Sequence, residues 1–103
     1  MTRWNRLAVR LQVPAATGVY LLGTGSGRAP ENVVLIGSAR NLRIKLLELL
    51  EAEPLQALSA RVVHWVAGLT DEQARLAERL FIRRYNPPLN AAPTSRYFDI
   101  LTG

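Results

Sequence analysis

The chain has 103 residues, 49% of them hydrophobic, and a formal net charge of +5 at pH 7. That length fits one small domain over residues 1–103, and the charge favours a polyanionic partner, nucleic acid before an anionic membrane. With no cysteine there is no disulfide or thiolate metal site, one histidine cannot build a His-based zinc cluster, and no apolar run approaches the ~20 residues that cross a bilayer.

The amino terminus, MTRWNRLAVRLQV, has no continuous apolar segment of the kind a secretion signal carries, so a cytoplasmic location is expected. Residues 1–13 fit two descriptions. Trp4, Leu7 and Leu11 have helical spacing, whereas the alternation Val9-Arg10-Leu11-Gln12-Val13 suits a strand. Pro14 ends either one. Thr17–Gly23 (TGVYLLG) reads as a short strand. Gly23–Asn32 (GTGSGRAPEN) reads as a Gly-rich hairpin loop rather than a phosphate cradle, because no Gly-Lys-Ser/Thr ending and no helix follow it. Val33–Gly37 (VVLIG) is apolar on both faces and is expected to be a central strand. A helix follows from Ala39 or Asn41 to Ala52, before Pro54. Ala60–Gly68 is a third strand. Thr70 opens the last helix with a capping box closed by Gln73, and that helix stops near Tyr85, ahead of Asn86-Pro87-Pro88. The tail from Asn90 reads as irregular. The order β-β-α-β-α predicts an α+β fold, a small three-stranded antiparallel sheet flanked by helices.

The helices carry the chemical hints. In the first, Leu42, Leu46, Leu49 and Leu50 form an apolar stripe, with Arg43 and Lys45 on its flanks. Lys45 is the sole lysine in a chain that otherwise uses arginine. Such flanking cations either snorkel into solvent or reach a neighbouring surface. In the last helix, Arg75, Arg79 and Arg83 mark a polar edge, opposite Ala74, Leu76, Ala77, Leu80, Phe81, Ile82 and Tyr85. Glu78 falls on that apolar side. A carboxylate there needs a partner, a proton or a metal ion. A buried ion pair with an arginine, a metal ligand and a catalytic carboxylate all satisfy that need. One carboxylate is too few for a two-metal nuclease site. His64, between valines, reads as a hydrogen-bonded, partly buried histidine, and Trp4, Trp65, Tyr97 and Phe98 as packing aromatics.

Three short runs, in order, resemble the GIY-YIG nuclease domain, most closely the amino-terminal nuclease domain of the bacterial excision-repair endonuclease C subunit. Gly18-Val19-Tyr20 stands where that family has its first half-motif. VLIGSARNLRIKL, from Val34, is similar to the second half-motif and the helix after it. AERLFIRRYNPPLN, ending at Asn90, is similar to the closing motif. The likeness covers about residues 13–97.

The resemblance implies a divalent-metal-dependent endonuclease that hydrolyses nucleic-acid phosphodiesters. Tyr20 matches the tyrosine that deprotonates or positions the attacking water. Glu78 matches the single carboxylate that binds one Mg²⁺ or Mn²⁺, and Asn90 the asparagine that supports the site. Gly18 and Gly37 match motif glycines. Two positions depart from the pattern: Leu35 replaces the second tyrosine, and Lys45 replaces the helix arginine, keeping charge but losing the bidentate fork. Ser38 stands where the excision-repair relatives often have lysine. Arg40, Arg43, Arg83 and Arg84 are candidates for contacts to the nucleic-acid backbone. The departures leave a second reading open, a catalytically impaired domain that binds nucleic acid or a partner without cutting. The family's nuclease domain usually accompanies a targeting domain, so substrate choice, with DNA the expected substrate, is expected to come from a targeting protein, from a homodimer, or not at all.

Overall fold

A computed structural model describes residues 1–25, 28–52 and 60–90. The tail beyond Asn90, expected to be irregular, and the packing of Tyr97 and Phe98 lie outside the described residues. In chain order the elements are β1 (Thr2–Arg3), α1 (Arg6–Gln12), β2 (Gly18–Gly23), β3 (Leu35–Ala39), α2 (Leu42–Glu51), β4 (Val62–Ala67) and α3 (Asp71–Tyr85).

The sheet has four strands in the order β1-β4-β2-β3, with every pairing antiparallel. One more strand is present than the sequence suggests. It is β1, whose two residues pair with Val63 and Val62 and are too few to show any periodicity. The ambiguity in residues 1–13 resolves as this strand followed by a helix. Asn5 caps α1 by accepting a 2.8 Å hydrogen bond from the Ala8 amide. A side-chain acceptor at that position satisfies one of the open N–H groups of the first turn. Helix α1 buries Val9, its C-cap Val13 is buried one turn on, and Leu7 and Leu11 are exposed.

Helices lie on both faces of the sheet. On one face, Val9, Val13, Leu42, Leu46 and Leu49 pack with Tyr20, Leu22, Leu35 and Val63. On the other, Val19, Leu21, Val33 and Ile36 meet Leu69, Ala77, Phe81, Ile82 and Tyr85. Strand β2 is buried at all six residues. The expected central position of VVLIG is a correction: the strand proper is Leu35–Ala39, and it lies at the edge of the sheet. Its apolar character on both faces comes from the two helical layers, which cover an edge strand as fully as an inner one. Its outer rim is occupied by the turn after α3. The Leu89 amide donates to the Val34 carbonyl, and the Asn90 side chain pairs with both backbone groups of Ile36. An edge closed in this way presents fewer open backbone groups for strand addition.

Helix α3 begins at the expected capping box, with Gln73 N–H donating to Thr70 Oγ1 and Thr70 N–H to Gln73 Oε1. It ends at Asn86 in a left-handed conformation, followed by the two prolines. Its buried side is narrower than the wheel suggested. Leu76 and Leu80 are more than half exposed, because only Ala74, Ala77, Phe81, Ile82 and Tyr85 face the sheet. Helix α2 starts one residue after its cap, Asn41, which accepts from the Ile44 amide.

Candidate active site

Three consecutive residues of β3 organise the site. Ile36 is gripped by Asn90: its amide donates to Asn90 Oδ1, and Asn90 Nδ2 donates back to its carbonyl, each at 2.8 Å. Gly37 lies opposite Tyr20 in the register with β2. A Cβ at Gly37 would overlap the end of the Tyr20 ring and its hydroxyl, so only glycine lets the tyrosine lie across the strand. Ser38, half-buried, donates from Oγ to Glu78 Oε1 at 2.7 Å. Alternation along the strand explains the split: Ser38 points to the α3 side with its register partner Val19, while Tyr20 packs on the α2 side.

Tyr20 is fully buried, and its hydroxyl is held far above the ordinary tyrosine range. Burial is the main cause, and the negative charge of Glu78 adds to it. Glu78 therefore acts on Tyr20 electrostatically while accepting from Ser38. The phenol stays protonated at neutral pH. It can donate or share a hydrogen bond there, but it is not a phenolate base in the free protein.

Beside Ser38 a cavity of about 600 Å³ opens between the start of α2 and the start of α3. Lys45, Arg40, Arg75, Glu48 and Asp71 line it, with Ser38 at its wall. Arg40 Nε donates to Asp71 Oδ2 at 3.0 Å, and the Arg40 carbonyl accepts from Thr17 Oγ1 at 3.1 Å. Thus the strand-to-helix exit carries cations on one side of Ser38 and a held carboxylate on the other.

No family model and no curated protein matches the chain. Its structure matches the GIY-YIG N-terminal endonuclease domain of UvrC from Thermotoga maritima bound to magnesium, with a TM-score of 0.63, 20% sequence identity, and coverage of 78% of this chain and 92% of that one. The same domain as an asparagine-to-alanine point mutant, bound to its catalytic divalent cation, matches with a TM-score of 0.63 and 20% identity over 78% of this chain and 91% of that one. The chain has the GIY-YIG fold.

Within the GIY-YIG fold of this chain, Tyr20, Glu78 and Asn90 gather on Ile36–Ser38. Lys45 stands across the cavity that starts at Ser38, whereas Tyr20 and Asn90 are not in the cavity wall. Gly18 is required by packing, since a Cβ there would overlap the Val66 carbonyl and crowd Leu42. Leu35 is fully buried in the same apolar cluster as Tyr20, so its position offers the site no polar atom. Of the four candidate arginines, Arg40 lines the cavity. Arg43 instead donates from Nε to the Val13 carbonyl at 2.8 Å and ties α2 to the end of α1. Arg83 and Arg84 are exposed in the last turn of α3, outside the cavity wall, and Arg84 sits 5.7 Å from the Tyr85 ring centroid.

His64 is buried on β4, and its Nε2 has no hydrogen-bond partner among the described residues, contrary to the sequence expectation. It shares the face of Leu21, with β2 between it and β3. Trp4 and Trp65 pack against the core as expected. Arg75, Glu48 and Asp71 were not singled out by sequence reasoning as site residues. The available signal for Arg75 was its place three residues before Glu78, which sets the two within one helical turn.

Proposed function

We propose that this chain is a divalent-metal-dependent endonuclease that hydrolyses nucleic-acid phosphodiesters, with DNA as the substrate. The observation that carries the reading is that Tyr20 lies against Gly37 and Glu78 against the next residue, Ser38, with the Glu78 charge felt at the Tyr20 hydroxyl, on a GIY-YIG fold. The donor set suits Mg²⁺ or Mn²⁺. Glu78 offers a hard oxygen ligand, half-buried and already oriented by Ser38. Mg²⁺ commonly takes one or two carboxylates and completes its octahedron with water and substrate phosphate. Among the described residues no group of three or more His, Asp or Glu is assembled, which fits that mode and not an all-protein cage.

Glu78 would hold the ion, and the bound ion supplies Lewis acidity to the scissile phosphate. Ser38 fixes the carboxylate rotamer. The neutral Tyr20 hydroxyl is no phenolate base, and because it is buried outside the cavity wall it assists the nucleophile through the hydrogen-bonded groups around Gly37 and Ser38 and not by direct contact. Lys45 offsets negative charge on the phosphate as it develops. Asn90 acts through Ile36, keeping the strand that carries Gly37 and Ser38 in register.

A second reading, a weakened or impaired domain that binds without cutting, is favoured by one observation. Leu35 is sealed in the core, so no hydroxyl stands where the resemblance expects one. Loss of one site donor typically lowers a rate ~10²–10³-fold. The protein works in the cytoplasm, with substrate choice supplied by a targeting protein or by a second copy. The deciding experiment incubates the protein with branched, damaged and plain DNA, with Mg²⁺ or Mn²⁺ and with chelator, beside Glu78→Ala. Metal-dependent cleavage lost in Glu78→Ala supports the endonuclease. Salt-sensitive binding without cleavage supports the impaired domain, and neither binding nor cleavage at low salt overturns both.

A further inference from the structure

We infer that Arg75 is the guanidinium that clamps a backbone phosphate next to the one at Glu78, a role that Lys45 lacks the geometry to fill. The inference rests on the nucleic-acid reading above. It starts from what the cavity's polar groups are already doing. Arg40 is held by Asp71, Thr17 donates to the Arg40 carbonyl, and Asn41 caps α2. Lys45 is engaged within the fold. Arg75 lines the same cavity, is exposed, and makes no hydrogen bond or ion pair with any described residue.

Its position gives it a direction as well as availability. Arg75 and Glu78 are one turn apart on α3, and Ser38 bridges from Glu78 into the cavity wall. A strand whose scissile phosphate lies between Glu78 and Lys45 then has its neighbouring phosphate within reach of the α3 wall of the cavity, at Arg75. The cavity holds three cations against two carboxylates, and one of those carboxylates, Asp71, is already paired. A planar guanidinium bonds two phosphate oxygens at once, whereas an ammonium acts as a point charge. The exchange of arginine for lysine at 45 removes the fork from α2, and Arg75 presents one from the opposite wall.

The test is binding of a fluorescein-labelled DNA duplex in chelator, read by anisotropy across a salt series, for the full chain and for Arg75→Ala, Arg75→Lys and Arg79→Ala. Arg79 is exposed on the same helix and outside the cavity wall. Arg75→Ala is expected to weaken binding about tenfold and to lower the slope of log K against log salt by about one. Arg75→Lys is expected to keep most of the slope and lose several-fold in affinity. Arg79→Ala is expected to change affinity less than twofold. If Arg75→Ala binds with the affinity and slope of Arg79→Ala while the unaltered chain binds DNA well, the inference is overturned and the nucleic-acid reading stands. If the unaltered chain binds no DNA at low salt, the reading falls and the inference falls with it.

Discussion

Ser38 Oγ donates a 2.7 Å hydrogen bond to Glu78 Oε1, tying the edge strand β3 to the middle of α3 across 40 residues of sequence. The contact gives the carboxylate on the wheel's apolar side its partner. That partner is a hydroxyl, which occupies part of one oxygen and leaves Glu78 Oε2 and its remaining acceptor capacity open. A buried arginine pair would have consumed both.

Replacing Ser38 by alanine removes a hydrogen bond to a charged acceptor and frees the Glu78 rotamer. The expected cost is about 1–2 kcal/mol of stability. Groups that orient a ligand commonly matter 10–100-fold in metal affinity. Mg²⁺ titration of cleavage by Ser38→Ala should show a half-saturating concentration about tenfold higher. An unchanged Mg²⁺ dependence would remove Ser38 from the site.

Glu78→Gln keeps the side chain's size and its bond from Ser38 but removes the negative charge. Metal-dependent nicking should fall at least ~10²-fold, in line with the loss of a principal electrostatic group. The circular dichroism spectrum and the urea midpoint should stay close to those of the parent. Retained nicking by Glu78→Gln would assign the chemistry to another group.

Gly37→Ala pushes a methyl group into the Tyr20 ring, which has no room to retreat within a fully packed cluster. Overpacking of this kind costs about 1–3 kcal/mol. Urea unfolding is the measurement, and the double variant Gly37→Ala with Tyr20→Leu should recover part of the loss. No recovery would locate the strain elsewhere than in the Tyr20 contact.

Asn90→Ala leaves both the amide and the carbonyl of Ile36 without their side-chain partners. Unpaired groups of this sort cost about 1–3 kcal/mol each when they stay dry, and less where water reaches them. Hydrogen exchange should accelerate at the Ile36 amide while amides of β2 keep their protection. Unchanged exchange at Ile36 would show that the edge is held by something other than Asn90.

The raised affinity of Tyr20 for its proton sets an alkaline limit. The folded protein holds this proton above the ordinary tyrosine value of 10.0, at which the unfolded chain releases it. The contribution is complete below about pH 10 and is lost as pH rises towards the folded value. In that window one retained proton lowers stability by up to about 1.4 kcal/mol per pH unit. Tyr20→Phe should therefore flatten the decline of unfolding free energy between pH 10 and pH 11, measured by urea titration. An unchanged slope would place the phenol in contact with solvent.

The sequence by itself determined the local frame. The capping box at Thr70–Gln73, the proline stop after Asn86, the leucine stripe of α2 and the run of strand β2 all depend on neighbours within a turn or on alternation, and each formed where its residues put it. That Glu78 needs a partner, a proton or a metal ion was also legible, because a carboxylate on an apolar face needs a reason to be there, but that its partner is Ser38 was not. What only the tertiary structure decided depends on residues distant in the chain. An edge strand covered by helices on both faces carries the same apolar pattern as a central one, so VVLIG could not declare its place. Two residues of β1 are too short for any period. Leu76 and Leu80 are apolar, yet they fall on the side of α3 turned away from the sheet. The division of labour among cations followed the same logic: the sequence put Arg40 and Arg43 forward and left Arg75 on a polar edge, but only packing could give the first to Asp71, the second to the Val13 carbonyl, and leave the third facing an open cavity.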